Sequence, residues 1–313
     1  MVAAATAAAI AANVRKVIRG KDELVRLAVA GLLAEGHLLI EDVPGLGKTT
    51  LARAMARSIG GTWSRIQFTP DLLPGDITGV SVYRQRDEQF SFVPGAVFAN
   101  VVVADEINRG TPKTQSALLE VLEERRVTVD GVSHEVPRPF LVVATQNPIE
   151  LEGTYRLPEA QLDRFLMRLS VGYPDRASEV GVVLGYAAGL SADDLAAVVD
   201  TRTLQKAIDE VRAQHVEPAV ADYAVRLAEA TRTHPALRFG ASVRGSIALV
   251  RAAQAIAATD GRSFVTPDDI KDVAVPVLAH RLVRTAEAEL NLRGTNGIVA
   301  EVLAAVPVLS ASV

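Results

Sequence analysis

The chain has 313 residues, a formal net charge of −4 and 22% charged residues, a composition typical of a globular protein with one large or two medium domains. No run of five like charges occurs and only 4% of residues are aromatic, so composition indicates neither a nucleic-acid nor an anionic-lipid surface. The absence of cysteine excludes disulfides, thiol catalysis and zinc–thiolate sites, and it fits a cytoplasmic protein.

The chain opens with an alanine-rich segment, MVAAATAAAIAANVRK. No basic residue precedes its apolar part, so the pattern favours a helix leading into a domain over a signal peptide. Elsewhere, no uncharged apolar run reaches the roughly 18–20 residues that a membrane-spanning helix needs. We therefore expect no membrane span.

Short apolar runs in the first half of the chain predict buried strands. They are GHLLIE (36–41), NVVVADE (100–106) and PFLVVATQN (139–147), and each ends in polar residues or a turn. Continuous apolar runs suit strands covered on both faces, as in a parallel sheet between helices. Helical patterns over 48–60 and 113–126 lie between the runs, so the first half is predicted to be an α/β domain.

A different pattern occupies residues 125–136, RRVTVDGVSHEV. Valines alternate with polar residues on both sides of Asp130-Gly131, and an Asp-Gly pair between alternating runs predicts a β-hairpin. The hairpin is therefore predicted to stand between a helix and the next strand of the sheet.

After residues 172–176 the helical patterns continue without strand-like runs. Thr266 followed by Pro267 and two aspartates is typical of a helix start. The predicted helices cover about 177–189, 203–213, 217–233, 241–259 and 267–283. We therefore predict an α/β core over 1–172 and a smaller, all-helical domain over 173–313.

The segment EDVPGLGKT (41–49) lies between a predicted strand and a predicted helix, as a phosphate-binding loop does. Asp42 stands where the usual G-x-x-x-x-G-K-[ST] pattern has its first glycine. The remaining glycines permit close approach of a phosphate to backbone N–H groups. Lys48 would reach the β- and γ-phosphates and Thr49 would bind Mg²⁺. The predicted nucleotide-binding residues of the loop are Val43, Pro44, Gly45, Leu46, Gly47, Lys48, Thr49 and Thr50.

Polar residues that follow the next two predicted strands complete a hydrolytic set. Asp105 would hold Mg²⁺, and Glu106 would act as general base for the attacking water. Asn147 could orient that water or contact the γ-phosphate, because the carboxyl ends of parallel strands converge on the ligand crevice. Taken alone, Asn-Pro also indicates an ordinary turn.

An arginine that stabilises the transferred phosphoryl group is the remaining element of such a site. Arg156, Arg164 and Arg244 are the candidates, in GTYRLPEA, EAQLDRFLM and GASVRGSIAL. Spacing alone does not choose among them, and each could equally form a surface salt bridge.

Together these motifs resemble the MoxR family of AAA+ ATPases over nearly the whole chain. The resemblance is carried by GHLLIEDVPGLGKT, LLPGDITG, FVPGAVFANVVVADEINRGTPKTQSALLEVLEERRVTVDG, VVATQNPIELEGTYRLPEAQLDRFLM and GASVRGSIALVRAAQAIA. It implies a Walker A pair at Lys48 and Thr49, a Walker B pair at Asp105 and Glu106, and sensor 1 at Asn147. It further implies an arginine finger at Arg164 acting on the next subunit, sensor 2 at Arg244, and an adenine contact at Ile18.

The resemblance also implies the branch of AAA+ proteins with an insert in helix 2, here 77–95, and a hairpin before sensor 1, here 126–138. That family's loop commonly reads E-[GD]-x-P-G-x-G-K-T, which includes Asp42. Arg156 departs from the pattern, since the family usually has proline there.

The function implied is Mg²⁺-dependent ATP hydrolysis by a homo-oligomer, expected to be a hexamer, that remodels a protein client or assembles a complex. A von Willebrand factor A domain protein is the expected partner, and no nucleic acid is expected. One alternative is a nucleic-acid motor of the same branch, although the hairpin tip VDGVSHE and the insert tip RQRDEQ lack excess basic charge. Another is a nucleotide-dependent switch or scaffold without turnover.

Overall fold

A computed structural model of the chain describes residues 1–148 and 153–308. The helices are α1 (Val2–Val14), α2 (Asp22–Leu33), α3 (Lys48–Ser58), α4 (Pro74–Thr78), α5 (Pro112–Glu124), α6 (Glu159–Leu162), α7 (Arg176–Ala187), α8 (Thr201–Arg212), α9 (Pro218–Arg232), α10 (Val243–Thr259), α11 (Pro267–Leu278), α12 (Ala286–Leu290) and α13 (Thr295–Ala305). The strands are β1 (Leu38–Glu41), β2 (Ile59–Gly60), β3 (Trp63–Gln67), β4 (Gly79–Arg84), β5 (Gln89–Pro94), β6 (Val101–Asp105), β7 (Arg126–Val129), β8 (Val132–Glu135), β9 (Leu141–Gln146), β10 (Met167–Leu169), β11 (Val199–Asp200), β12 (Leu237–Phe239) and β13 (Val283–Arg284).

The central sheet has five strands in the order β10-β1-β9-β6-β3, and all its pairings are parallel. The inner strands β1, β9 and β6 are buried almost throughout. Successive side chains alternate between two apolar clusters, so that Val103 faces one layer and Val102 the opposite layer. Both faces are therefore covered, which confirms the predicted parallel sheet between helices.

One apolar cluster continues from the sheet through α1, α2 and α3 into the helices that follow residue 200. Ile10 of α1, Leu204 of α8 and Leu249 of α10 are all fully buried within it. The two amino-terminal helices therefore pack on the sheet side and on the carboxyl-terminal helices together. The boundary between 1–172 and 173–313 stays a prediction.

The predicted hairpin is confirmed: β7 and β8 pair antiparallel, with Asp130 and Gly131 at positive φ in the turn. The insert over 77–95 forms a second antiparallel hairpin, β4–β5, preceded by the short helix α4. Val127 of β7 and Ile77 of α4 are buried in the same apolar cluster as Phe68, Phe140 and Phe165, so the base of each hairpin packs on this side of the sheet.

The carboxyl-terminal part is helical, as predicted, with short additions. Thr266 caps α11 through its side chain and Pro267 is the first helical residue, which confirms the predicted start. The predicted helix over 267–283 ends earlier, at Leu278, and a 3₁₀ turn follows it. Strands β12 and β13 pair antiparallel, although no strand was expected there. Residues 309–313 of the predicted domain lie outside the described residues. Within the described ranges, none of the helices has both the length and the apolar character that crossing a membrane requires.

Candidate functional site

The loop between β1 and α3 has the backbone of an anion-binding turn. Gly45 and Gly47 lie at φ +82° and +87°, in the left-handed region that favours glycine. Gly47 is the N-cap of α3, so the first N–H groups of that helix have no partner inside the helix. A helix amino terminus reached through a glycine turn binds phosphate through these N–H groups and the helix dipole.

Lys48 begins α3, and its ammonium group lies along its own loop. The Nζ atom donates to the carbonyl oxygen of Val43 at 3.0 Å and to that of Asp42. The lysine is therefore held next to the glycine turn, where a phosphate on the helix terminus would meet it.

Thr49 and Asp105 place two oxygen groups that could bind a metal ion side by side at the carboxyl edge of the sheet. The Thr49 hydroxyl donates to Asp105 Oδ1 at 2.9 Å, and the Thr145 hydroxyl donates to the same atom at 3.2 Å. On the other carboxylate oxygen, Arg65 Nε donates to Oδ2 at 2.7 Å. A threonine hydroxyl next to an aspartate fits the ligand preference of Mg²⁺, so the residues present suit this ion.

Glu106 directly follows β6 and adopts an uncommon backbone conformation, with φ +55°. Its N–H donates to the Thr145 hydroxyl at 3.0 Å, which fixes the turn from the neighbouring strand. Its carboxylate accepts from Gln67 Nε2 at 3.0 Å, and Arg109 Nε lies 3.3 Å from Oε2. A positive φ at a residue other than glycine costs about 1–3 kcal/mol and clusters at functional sites.

Asn147 follows β9, the strand next to β6 in the sheet. It is buried, and its carbonyl oxygen accepts from Asn108 Nδ2 at 3.1 Å. The sheet therefore brings together the predicted residues Thr49, Asp105, Glu106 and Asn147 at the ends of adjacent elements. Residues 149–152, which belong to the family motif VVATQNPIELEGTYRLPEAQLDRFLM, lie outside the described residues.

A cavity of about 480 Å³ opens beside the glycine turn. Ile18, whose adenine contact stays a prediction, lines it together with the loop, and Val182 of α7 closes one side. The segment between β10 and α7 supplies Tyr173 to the same wall. Apolar and aromatic walls next to a phosphate-binding turn suit a nucleoside. The loop residues lining this cavity are Pro44, Gly45, Leu46, Gly47 and Thr50.

Arg164 and Arg244 lie together in a separate cavity of about 240 Å³. Glu123 at the end of α5 contacts both: its Oε2 lies 3.1 Å from Arg164 Nε, and its Oε1 accepts from Arg244 Nη2. Among the residues that the structure describes, this pair lines the Glu123 cavity and not the cavity of the glycine turn. Arg156 is exposed in the loop before α6.

Several residues that contact the site were not predicted from sequence. Arg65 and Gln67 lie on β3, and Thr145 lies on β9. Each is a polar residue near the carboxyl end of a strand, and that position is the signal that could have identified them.

Comparison with known proteins agrees with this architecture. The family model described as ATPase family associated with various cellular activities (AAA) matches residues 37–167, and the AAA lid domain model matches 229–301. Chaperone MoxR1 of Mycobacterium tuberculosis is 46% identical over 88% of this chain and 75% of its own length. Protein MoxR of Paracoccus denitrificans is 35% identical over 85% of both chains.

A solved structure of a proposed ATPase from Cytophaga hutchinsonii superposes with a TM-score of 0.90 at 36% identity, covering 98% of this chain and 96% of that one. The matched segments contain the glycine turn, both strand-end acids and both hairpins. The chain therefore belongs to the MoxR family of AAA+ ATPases.

Proposed function

We propose that this ATPase works as a closed ring in which ATP hydrolysis drives chaperone-like remodelling or assembly of a protein client. The observation that carries the proposal is the separation of the site into two parts. Lys48, Thr49 and Glu106 lie at the carboxyl edge of the sheet, whereas Arg164 and Arg244 share a different cavity. A second copy that presents its arginine pair would complete the site.

On the sheet side, each residue has a distinct role. The N–H groups of the glycine turn and Lys48 would bind the β- and γ-phosphates. Thr49 and Asp105 would hold Mg²⁺, which when bound neutralises charge on the phosphate oxygens. The Thr145 hydroxyl keeps the Asp105 carboxylate oriented through its bond to Oδ1.

Glu106 would accept the proton of the attacking water. Its carboxylate is half-exposed and held by Gln67 and Arg109, so its oxygen is aimed before water arrives. Asn147 would orient the same water from the adjacent strand. This arrangement supports turnover over a switch without turnover, since a switch has no need of an aimed base.

On the other side, Arg164 and Arg244 would act on ATP bound by the neighbouring subunit. The shared carboxylate of Glu123 holds both guanidinium groups on one surface. A heterologous contact of this kind, repeated around a closed ring, places one arginine pair at every site. We propose a hexamer, and a von Willebrand factor A domain protein as partner.

The surface of the insert supports a protein client. Phe90 is 73% exposed at the β4–β5 hairpin, where its ring packs on that of Tyr83, and Val82 is also exposed. Exposed apolar side chains suit contact with another protein, whereas a nucleic-acid motor needs basic tips that hold phosphates. One of the relatives, Chaperone MoxR1, is named as a chaperone.

The decisive variant is Glu106→Gln. It keeps a polar side chain of the same size, so nucleotide binding and ring assembly are expected to persist. Turnover should fall about 10²–10⁴-fold, the usual contribution of a general base. Glu301→Gln, at an exposed ion pair with Arg293, is the matched control and should leave turnover unchanged.

Steady-state ATPase assays and light scattering with ATP measure these outcomes. Turnover of Glu106→Gln within a few-fold of the unsubstituted protein would show that another group is the base. The same variant, loaded with ATP, should retain a protein client from lysate. DNA-stimulated turnover would instead favour the motor.

A further inference from the structure

We propose that Asp42 is a positioning residue that couples the phosphate-binding loop to the linker 170–175, which joins β10 to α7. The inference rests on the proposed nucleotide-binding role of the loop and adds a path from that loop to a helix of the carboxyl-terminal part. It gives Asp42, which stands where the usual phosphate-binding loop pattern has its first glycine, a structural role of its own.

The carboxylate of Asp42 contacts the linker directly. Its Oδ2 accepts a hydrogen bond from the Ser170 hydroxyl at 2.6 Å and from the Gly172 N–H at 2.7 Å. Its Oδ1 accepts from the N–H of Val43 at 2.8 Å, which orients the side chain. These partners lie 128 and 130 residues along the chain from Asp42, so the contact is tertiary.

The backbone of the same residue contacts the catalytic side. Its carbonyl oxygen accepts from Lys48 Nζ, and its N–H donates to the carbonyl of Gln146 at 3.4 Å. Asp42 therefore holds the Walker A lysine through its main chain and the linker through its side chain. A glycine at this position could make the main-chain contacts to Lys48 and Gln146 but not the side-chain contacts to the linker.

The linker is short and fixed at several points, so displacement at one end reaches the other. Gly172 lies at φ +64°, and Lys21 Nζ donates to the carbonyl of Tyr173 at 2.7 Å. Asp175 then caps α7 by accepting from the Ser178 N–H at 2.9 Å. Hydrogen bonds at Ser170, Gly172, Tyr173 and Asp175 therefore fix the linker at several points between Asp42 and the first turn of α7.

Helix α7 is suited to respond. None of its residues is buried within the described structure, in contrast to α8, α9, α10 and α11. Its Val182 and Val183 nevertheless line the cavity beside the glycine turn. An element with few buried apolar contacts opens at low free energy, and such elements are the ones that move when a ligand binds.

The charge of Asp42 strengthens the connection. Partial burial opposes ionisation, but the hydrogen bonds from Ser170, Gly172 and Val43 outweigh it and hold the pKa of Asp42 below its ordinary value. The carboxylate is therefore ionised at neutral pH, and its bonds to the linker are charge-assisted.

The test compares Asp42→Gly, Asp42→Asn, Ser170→Ala and the double variant Asp42→Asn/Ser170→Ala. Asp200→Asn is the matched control, because the Asp200 carboxylate likewise accepts a backbone hydrogen bond, from the Thr203 N–H at 2.6 Å, but at the start of α8 and not at the linker. Hydrogen exchange of α7 is measured with and without saturating ATP, together with ATP affinity and the unfolding midpoint of the nucleotide-free protein.

In the unsubstituted protein and in Asp200→Asn, ATP should slow exchange in α7 about tenfold or more, a typical size for coupling between sites. In Asp42→Gly that protection should be lost at saturating ATP. Ser170→Ala and Asp42→Asn should each lose part of it, and the double variant should lose no more than Asp42→Asn alone. Loss of the charge-assisted bonds of Asp42 should also lower the unfolding midpoint without nucleotide. Asp200→Asn loses a comparable carboxylate contact and should lower the midpoint while keeping the ATP-dependent protection of α7, which separates coupling from a purely structural role.

The inference fails if Asp42→Gly keeps the full ATP-dependent protection, or if the effects of Asp42→Asn and Ser170→Ala add. Should Asp42→Gly fail to fold, Ser170→Ala decides the matter, since it removes one donor and leaves the loop intact. Failure of the proposed function has a different signature: the unsubstituted protein would then show no Glu106-dependent turnover, whatever Asp42 does.

Discussion

Mixed rings can test the proposal that one subunit supplies both Arg164 and Arg244 to the site of its neighbour. Glu123 contacts both guanidinium groups, so one subunit is expected to present both to its neighbour. Removing Arg164 should lower turnover about 10³-fold, the lower bound for an arginine finger. Alone, each single variant is therefore expected to form nearly inactive rings.

Mixing variants in equal amounts gives a result that depends on which subunit supplies each group. With Glu106→Gln and Arg164→Ala, a site works when its own subunit has Glu106 and its neighbour has Arg164. In a randomly mixed closed ring this holds at about one quarter of sites, whatever the ring size. Turnover should therefore recover to about one quarter of the unsubstituted rate.

The mixture of Arg164→Ala and Arg244→Ala discriminates between the two placements of Arg244. If both arginines come from the neighbour, every interface lacks one of them and no activity returns. If Arg244 acted within its own subunit, about one quarter of sites would be complete. The assay is steady-state ATPase activity after subunit exchange, with ring size checked by light scattering. Recovery near one quarter in this second mixture would refute the placement derived from the Glu123 cavity.

Gln67 and Glu35, which the sequence did not identify, can each be tested by a single substitution. Gln67→Ala removes the donor at 3.0 Å from Glu106 Oε2. Because this is a hydrogen bond to a charged group, kcat should fall about tenfold with little change in KM. An unchanged kcat would mean that Gln67 does not orient the proposed base. Glu35→Gln removes a carboxylate that is 2% exposed and lies between Arg125 and Arg212. The free energy of unfolding should fall by about 3 kcal/mol. This is the low end of the range for a broken buried ion pair, because Arg212 is half-exposed. The midpoint of urea unfolding measures that loss. Glu301→Gln, at an exposed ion pair, should leave the midpoint unchanged. Equal midpoints for Glu35→Gln and Glu301→Gln would contradict the prediction.

The inner strands could be predicted from sequence because burial on both faces leaves an unbroken apolar signal. Strands β1, β6 and β9 carry such runs, and the polar residues that end them are the predicted site. Strand β3 occupies the edge of the sheet, and its sequence WSRIQ mixes polar and apolar residues. No periodicity located it, so Arg65 and Gln67, which contact Asp105 and Glu106, were missed with it.

The arginines show a second limit of sequence reasoning. Spacing did not choose among the three candidates, because an arginine finger is defined by the surface it lies on rather than by its local pattern. Family resemblance selected Arg164 and Arg244, and the structure brings these two together at Glu123. Arg156 is exposed in the loop before α6 and is not among the described residues that line the Glu123 cavity. Their catalytic roles stay predictions.

Asp42 shows a third limit. Its local sequence shows only that it stands where the usual loop pattern has its first glycine. Its hydrogen bonds to Ser170 and Gly172 depend on how β10 pairs with β1, and the edge strand β10 has only three residues, too few to show a pattern. Tertiary contacts of this kind follow from strand order, which the sequence did not reveal.

The packing of the carboxyl-terminal helices restricts where ATP can change the structure. Helices α8 and α10 share a continuous apolar cluster with α1 and α2, and Leu204 and Leu249 are fully buried in it. Separating these layers would expose side chains at about 1.5–3 kcal/mol each. Helix α7 has no comparable burial and borders the nucleotide cavity. The lowest-cost response to ATP is therefore a shift of α7 and, in the proposed ring, of the contact between subunits, while the helices packed on α1 and α2 are expected to move with the sheet.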